Sequence, residues 1–199
     1  FATRDNTEII MEEFINGVVD SYDAIVDSNG DPIFESGTVS PISIMDIVNN
    51  NDNAAYHVTS EIPDDLKAAG RATVRSFGVK NRFVHFEFFR LNSDQHIGKA
   101  GDVVALEVNM RPCGGITPDM MNYAGNTNVY KIYADMIAYD SSLQPKVRNG
   151  YCAFAGRRYG REFTYSEDEI FQKYGYCLKD YGPVDEALAS TMGDYMYLA

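Results

Sequence analysis

Two stretches decide the reading. The first is Arg82-Phe83-Val84-His85-Phe86-Glu87-Phe88-Phe89-Arg90. The second is Val103-Val104-Ala105-Leu106-Glu107-Val108-Asn109-Met110, followed by Arg111-Pro112-Cys113-Gly114-Gly115. Both are dense in aromatic and β-branched residues, which pack well on a pleated surface. The loop between them is polar and holds Gly98 and Gly101, so the two runs are expected to pair as antiparallel strands. Residues two apart on a strand share a face. Glu107 and Asn109 therefore project together, Arg111 follows in the same series, and Val108 points the other way. If the strands pair, Glu87 can stand beside them.

Glu87, Glu107 and Asn109 supply two carboxylates and an amide oxygen. Such hard oxygen donors suit Mg²⁺, which is commonly held by one or two carboxylates together with substrate phosphates. An acid inside an apolar strand needs a partner, because an unpaired buried charge is costly. For Glu87 alone, a structural salt bridge to Arg82 or Arg111 is the simpler reading. The three residues together favour a metal site. The forked donors of Arg111 match a phosphate or a carboxylate, while its simpler role is charge balance for Glu107. Gly114-Gly115 allows close approach of backbone to a ligand and is supporting evidence only.

Working outward, Glu8-Ile9-Ile10-Met11 reads as a strand centred on Ile9 to Met11, broken at Asn16-Gly17. Tyr22 to Asp27 and Pro32 to Ser36 flank Ser28-Asn29-Gly30-Asp31, a strong tight-turn signal, so a β-hairpin is expected. Ser40 to Asn53 reads as loop and Ala55 to Ile62 as a strand. Pro63-Asp64-Asp65 opens a helix over about Asp64 to Phe77, with Gly78 as its cap. A second helix is expected from about Asn126 to Ala138, with Val129, Ile132, Tyr133, Met136 and Ile137 on its apolar face. Beyond Ser141 the chain is rich in Tyr and Gly. Short strands are expected at Tyr151 to Ala155, Arg161 to Tyr165, near Tyr176 and at Tyr195 to Leu198. Ser166-Glu167-Asp168-Glu169 is a capping-box helix start. The fold class is α+β with antiparallel strands and packed helices. Residues 1–140 form one lobe, and residues 141–199 form a C-terminal strand extension or small subdomain.

Composition narrows the function classes. The 199 residues carry a formal net charge of -12, with 17 Lys and Arg against 29 Asp and Glu. That balance argues against nucleic-acid backbones and anionic membranes, both of which reward excess positive charge. It leaves room for one metal-neutralised triphosphate. Cys113, Cys152 and Cys177 lack CxxC spacing, so neither a disulfide framework nor a zinc site is expected, and the setting is read as reducing and cytoplasmic. No apolar run reaches the roughly 20 residues of a membrane helix. The opening Phe1-Ala2-Thr3-Arg4-Asp5-Asn6 has no signal-peptide core.

The run Glu107-Val108-Asn109-Met110-Arg111-Pro112-Cys113-Gly114-Gly115, with the upstream strand acid Glu87, resembles the C-terminal half of the ATP-grasp domain. Met11-Glu12-Glu13-Phe14-Ile15-Asn16-Gly17 resembles that superfamily's interlobe hinge, whose backbone reads the adenine edge. The resemblance spans roughly residues 8–138, in order. It implies an ATP-dependent ligase of the biotin carboxylase, carbamoyl-phosphate synthase or amino-acid ligase kind. Such an enzyme activates a carboxylate as acyl-phosphate for attack by an amine or similar nucleophile, with ATP and Mg²⁺ (or Mn²⁺) as cofactors. It further implies that Glu87 and Glu107 bind the metal, with Glu107 bridging and Asn109 on a second ion, and that Arg111 touches the transferred phosphate. Glu12, Glu13, Phe14 and Ile15 would line the adenine, and Asp23, or Asp20 in its place, would meet the ribose. The superfamily's phosphate-binding Lys and glycine-rich loop lie ahead of the hinge. The chain is therefore expected to be a fragment inactive by itself. A non-catalytic nucleotide-binding or scaffolding module with the same fold is the alternative.

The remaining candidates are weaker. His57, His85 and His96 lack ligand or triad spacing, although His85 shares a strand face with Glu87. No Ser sits in a Gly-x-Ser-x-Gly frame. Cys113 is read as packing. Tyr151, Tyr159, Tyr165, Tyr174, Tyr176, Tyr181, Tyr195 and Tyr197 are read as a half-buried sheet surface or an oligomer contact, such as a homodimer, rather than a stacking platform for bases. The expected partners are thus a small carboxylate and an amine, with no nucleic acid and no membrane.

Overall fold

A computed structural model describes residues 10–145 and 150–199. In chain order the elements are β1 (Gly17–Val26), β2 (Pro32–Ser40), α1 (Ile44–Asn50), β3 (Ala55–Val58), α2 (Asp64–Ser76), β4 (Arg82–Leu91) and β5 (Val103–Asn109). Then follow α3 (Thr117–Gly125), α4 (Val129–Tyr139), β6 (Cys152–Arg157), α5 (Glu167–Tyr174), β7 (Asp180–Pro183), α6 (Ala189–Met192) and β8 (Tyr195–Leu198). The strands form one antiparallel sheet in the order β5-β4-β1-β2-β3-β6-β8-β7. The α+β class expected from the sequence is the class observed. Strands from beyond residue 140 continue the sheet, because β6 pairs with β3.

The β1–β2 hairpin turns as its residues dictate. The Asp27 carboxylate accepts the backbone N–H groups of Asn29 and Asp31, each at 2.9 Å, and Gly30 takes φ +93. Each central strand then presents two different faces. Tyr22, Ala24 and Val26 on β1, with Val84, Phe86 and Phe88 on β4, pack beneath α2 through Leu66 and Val74. The helix lies very close there, since a Cβ on Gly70 would fall 2.2 Å from the Tyr22 ring. The opposite face carries Ile25, Phe34, Phe83 and Phe154 under Met120, Met121, Ile132 and Met136 of α3 and α4.

Several local expectations need correction. Ser40 to Asn53 is not all loop, because it contains α1. That helix buries Ile47 in the main core and ends in the asparagine run, where Asn51 adopts a left-handed conformation. Asn tolerates that conformation better than most residues, so a run that looked like loop serves as a helix stop. Ala55 to Ile62 is strand only as far as Val58. Asn126 is the left-handed cap of α3, so the expected Asn126 helix begins later, at Val129. Asn128 caps it by accepting the Lys131 N–H. Arg161 to Tyr165 forms no strand, and the strand near Tyr176 lies instead at Asp180–Pro183. Of the expected opening strand, Ile9 lies outside the described residues, and Ile10 and Met11 are exposed and irregular. Ser166 and Glu169 close a reciprocal capping box, as expected. No helix among the described residues is long and apolar enough to cross a membrane.

Candidate functional site

The face of β1 and β4 that looks toward α3 and α4 becomes polar toward β5. Four adjacent strands contribute to it at the period of two. Register aligns Thr38 with Ser21, Ser21 with Glu87, and Glu87 with Glu107. A second rank aligns Ser36 with Asp23, Asp23 with His85, and His85 with Asn109. Directly opposed residues of an antiparallel pair point to the same side, with Cβ atoms about 4.5–5.5 Å apart. Glu87 and Glu107 therefore stand side by side, with Asn109 one step along β5. The β4–β5 ladder skips Leu106 just after the Glu pair, a bulge that re-aims the strand at this point.

Hydrogen bonds knit the two ranks together. Ser21 Oγ donates to Asp23 Oδ2 at 2.6 Å and also meets Thr38 Oγ1. Asp23 Oδ1 faces His85 Nδ1 at 2.8 Å, and His85 Nε2 faces Glu87 Oε1 at 3.0 Å. Burial works against charge on His85, but the carboxylates of Asp23 and Glu87 outweigh it. They raise the imidazole from its ordinary 6.5 to about 10. His85 is thus an imidazolium clamped between two acids at neutral pH. Burial and Asp23 push the Cys113 thiol far up, which leaves it a protonated packing group, not a nucleophile.

Asp23 is fully buried with both carboxylate oxygens engaged inside the protein. In this arrangement Asp23 anchors His85. Asp20 lies on the α2 side of the sheet in an ion pair with Arg90, which also binds Asp65. Glu12, Glu13, Phe14 and Ile15 run irregularly into β1. The first three are exposed, and none lines the site cavity. The structure thus brings Glu87, Glu107 and Asn109 together and leaves the hinge residues apart from them.

A cavity of about 280 Å³ opens beside the cluster, lined at one end by Ser21, His85, Glu87, Arg111 and Gly114. Arg111 is exposed. Its guanidinium donates to the Pro112 carbonyl at 2.9 Å and has no carboxylate partner among the described residues. The amide nitrogen of Asn109 is buried without a hydrogen-bond partner among the described residues. No three His, Cys, Asp or Glu side chains among the described residues converge as a metal-ligand group. Any ion here would need the Asn109 amide or a ligand oxygen to complete its shell. Sequence reasoning missed the Asp23–His85–Glu87 chain, although Ser21-x-Asp23 and His85-x-Glu87 carry its period. It also missed the far wall of the cavity, contributed by Leu188, Thr191 and Met192, for which no local signal exists.

No family model matches the sequence, and a search of curated proteins finds no relative. Solved structures do match. Phosphoribosylglycinamide synthetase from Anaerococcus prevotii aligns over 94% of this chain and 49% of its own, with TM-score 0.59 and 14% identity. The phosphoribosylaminoimidazole carboxylase ATPase subunit from Aquifex aeolicus aligns over 95% of this chain and 52% of its own, with TM-score 0.60 and 12% identity. The biotin carboxylase domain of a thermophilic 2-oxoglutarate carboxylase aligns over 72% of this chain and 31% of its own, with TM-score 0.51 and 15% identity. The chain has the fold of an ATP-grasp lobe and spans about half the length of the first two.

Proposed function

We propose that this chain is the Mg-ATP-binding half of an ATP-dependent ligase that activates a carboxylate for attack by an amine. The observation that carries the reading is Glu87 opposed to Glu107 on one sheet face, with Asn109 one step on and Arg111, which has no carboxylate partner among the described residues, two positions further along the chain. Two like charges directly opposite destabilise a sheet unless something offsets them. His85 offsets Glu87 and, by the bonds described, reaches no further than Asp23 and Glu87. A divalent cation offsets both acids, and the unpartnered Asn109 amide can turn its oxygen toward it. Mg²⁺ fits this donor set, with Glu87, Glu107 and Asn109 as its protein ligands. When bound, it offsets negative charge on the phosphates of ATP.

In the proposed reaction, a substrate carboxylate oxygen attacks the γ-phosphorus. The bond from that phosphorus to the β,γ-bridging oxygen breaks, and ADP leaves with the electron pair. The amine nitrogen then attacks the acyl carbon, the carbon–oxygen bond to phosphate breaks, and the amine proton passes to solvent. Arg111 orients the carboxylate or the transferring phosphoryl group through its paired N–H donors. Glu12 to Ile15 supply backbone groups and the exposed Phe14 ring to the adenine. Three free thiols suit a reducing setting such as the cytoplasm.

The test is Mn²⁺ binding, followed by the loss of free-ion EPR signal on titration with the protein and ATP. Wild type should bind, and Glu107→Gln should weaken binding at least about tenfold with the melting temperature retained. Equal Mn²⁺ affinity in the two proteins removes Glu107 from the site.

A further inference from the structure

The site cavity has two chemically different ends. Beyond His85, Glu87 and Arg111 it runs between Ile44 and Ile47 of α1, Ala54, and Leu188, Thr191 and Met192 around α6. His85, Glu87 and Arg111 are the charged residues of the lining; Tyr56 and Cys113 are its other titratable groups, and burial keeps both neutral. At about 280 Å³ the cavity falls just below the roughly 300–1,000 Å³ of drug-sized sites, so it suits a molecule of amino-acid size.

The walls of the apolar end are fixed from behind. Arg158, 6% exposed, donates from Nε to the Asp52 carbonyl at 2.8 Å, from Nη1 to the Ala189 carbonyl at 2.9 Å, and from Nη2 to the Ser190 carbonyl at 2.8 Å. Asp52 closes α1, since its N–H reaches the Ile47 carbonyl at 2.9 Å. Ala189 and Ser190 belong to α6. One buried guanidinium therefore sets the spacing of the two helices that flank the apolar end. Gly115 holds the α6 wall against the Arg111 segment. Its φ is +59, and a Cβ there would meet Met192 Sδ at 2.9 Å.

We propose, resting on the carboxylate-activating reading above, that the acid substrate of this site carries an apolar side chain of about leucine size. Its carboxylate lies toward Arg111, and its side chain fills the space between α1 and α6. A charged side chain would be desolvated there without a partner. Arg158 is the positioning residue that sets the width of this space.

Saturation-transfer NMR on the chain with Mg²⁺ and ATP, using leucine, glutamate and lysine as probes, reads the preference directly. Leucine should bind at least about tenfold tighter than either charged probe. Thr191→Phe should block leucine by filling the space. Arg158→Lys should narrow the gap between leucine and glutamate while leaving Mn²⁺ affinity unchanged, an effect that general destabilisation does not produce. Glutamate or lysine binding as tightly as leucine, no binding of leucine, or full leucine affinity in Thr191→Phe overturns the proposal. Mn²⁺ titration of the same samples separates the two claims. Metal binding without leucine sinks only the side-chain assignment, and leucine binding without metal sinks only the metal site.

Discussion

The clamp on His85 makes stability depend on pH in a way that can be worked out. His85 is raised from 6.5 to about 10 by Asp23 and Glu87 against the opposing effect of burial. A raised basic group contributes stability that is complete below its unfolded value and disappears as pH climbs through the folded value. The window is therefore about pH 6.5 to 10. Within it the folded state holds one more proton than the unfolded state, so the slope is about -1.4 kcal/mol per pH unit. Over the whole interval that sums to roughly 5 kcal/mol as an upper bound. Losing one partner of a buried pair costs about 3–5 kcal/mol, so the effective loss should sit near 3 kcal/mol. The assay is urea denaturation in EDTA at half-unit steps from pH 6 to 10, for wild type and His85→Gln. Subtracting the two curves cancels the Lys and Tyr titrations they share. The difference should fall steadily across the window and flatten near pH 10. Parallel curves would show that His85 carries no extra proton, and the electrostatic account of the cluster would fall with it.

Three smaller predictions follow from other contacts. Gly70→Ala should destabilise the protein by about 1–3 kcal/mol in chemical denaturation, because the new methyl strikes the Tyr22 ring and overpacking exceeds the gain in helix propensity of about 1 kcal/mol; a more stable variant would mean that α2 rides higher than described. Without metal, Glu107→Gln should stabilise the fold by about 0.2–1 kcal/mol by relieving its opposition to Glu87, and added Mg²⁺ should shrink that advantage. Burial alone would raise the Glu35 carboxyl, but hydrogen bonds from Arg71 and Tyr22 hold it below its ordinary 4.5. Its contribution is present above about pH 4.5 and is lost as pH falls, so Glu35→Gln should flatten the acid limb of the stability curve.

The parts of the fold that were legible in sequence are those whose signal is local. Asp27 to Asp31 encodes its own turn, and Ser166 to Glu169 encodes its own cap. The pairing of β4 with β5 was legible because both runs are strongly strand-like and a short polar loop joins them. What escaped was held by distant contacts. α1 has one buried residue, Ile47, and a sequence that ends in asparagines, so its helicity depends on the core it meets. The link of Asp23 to His85 escaped for the same reason. The strand position of Asp23 was correct, but no spacing within β1 reveals that His85 lies opposite it, 62 residues away. The α6 wall lies further still along the chain from the residues it faces across the cavity.

The distribution of side chains over the two faces explains why one sheet can support both an aromatic core and a polar cluster. Beneath α2, Tyr22 and Phe86 stack with centroids 6.3 Å apart, and the Tyr22 hydroxyl bonds Glu35 at 2.7 Å. That face anchors β1 and β4 in register. The same register then fixes the opposite side chains, because alternate residues on these strands serve alternate faces. Tyr22 and Phe86 are paired partners, and so are their neighbours Ser21 with Glu87 and Asp23 with His85. A slip of one residue would bury the polar ranks under α2 and expose the aromatics. The aromatic core therefore does more than stabilise the lobe. It sets the β1–β4 alignment that puts Ser21 beside Glu87 and Asp23 beside His85, and a change that loosens α2, such as Gly70→Ala, should weaken the proposed Mn²⁺ binding without touching Glu87, Glu107 or Asn109.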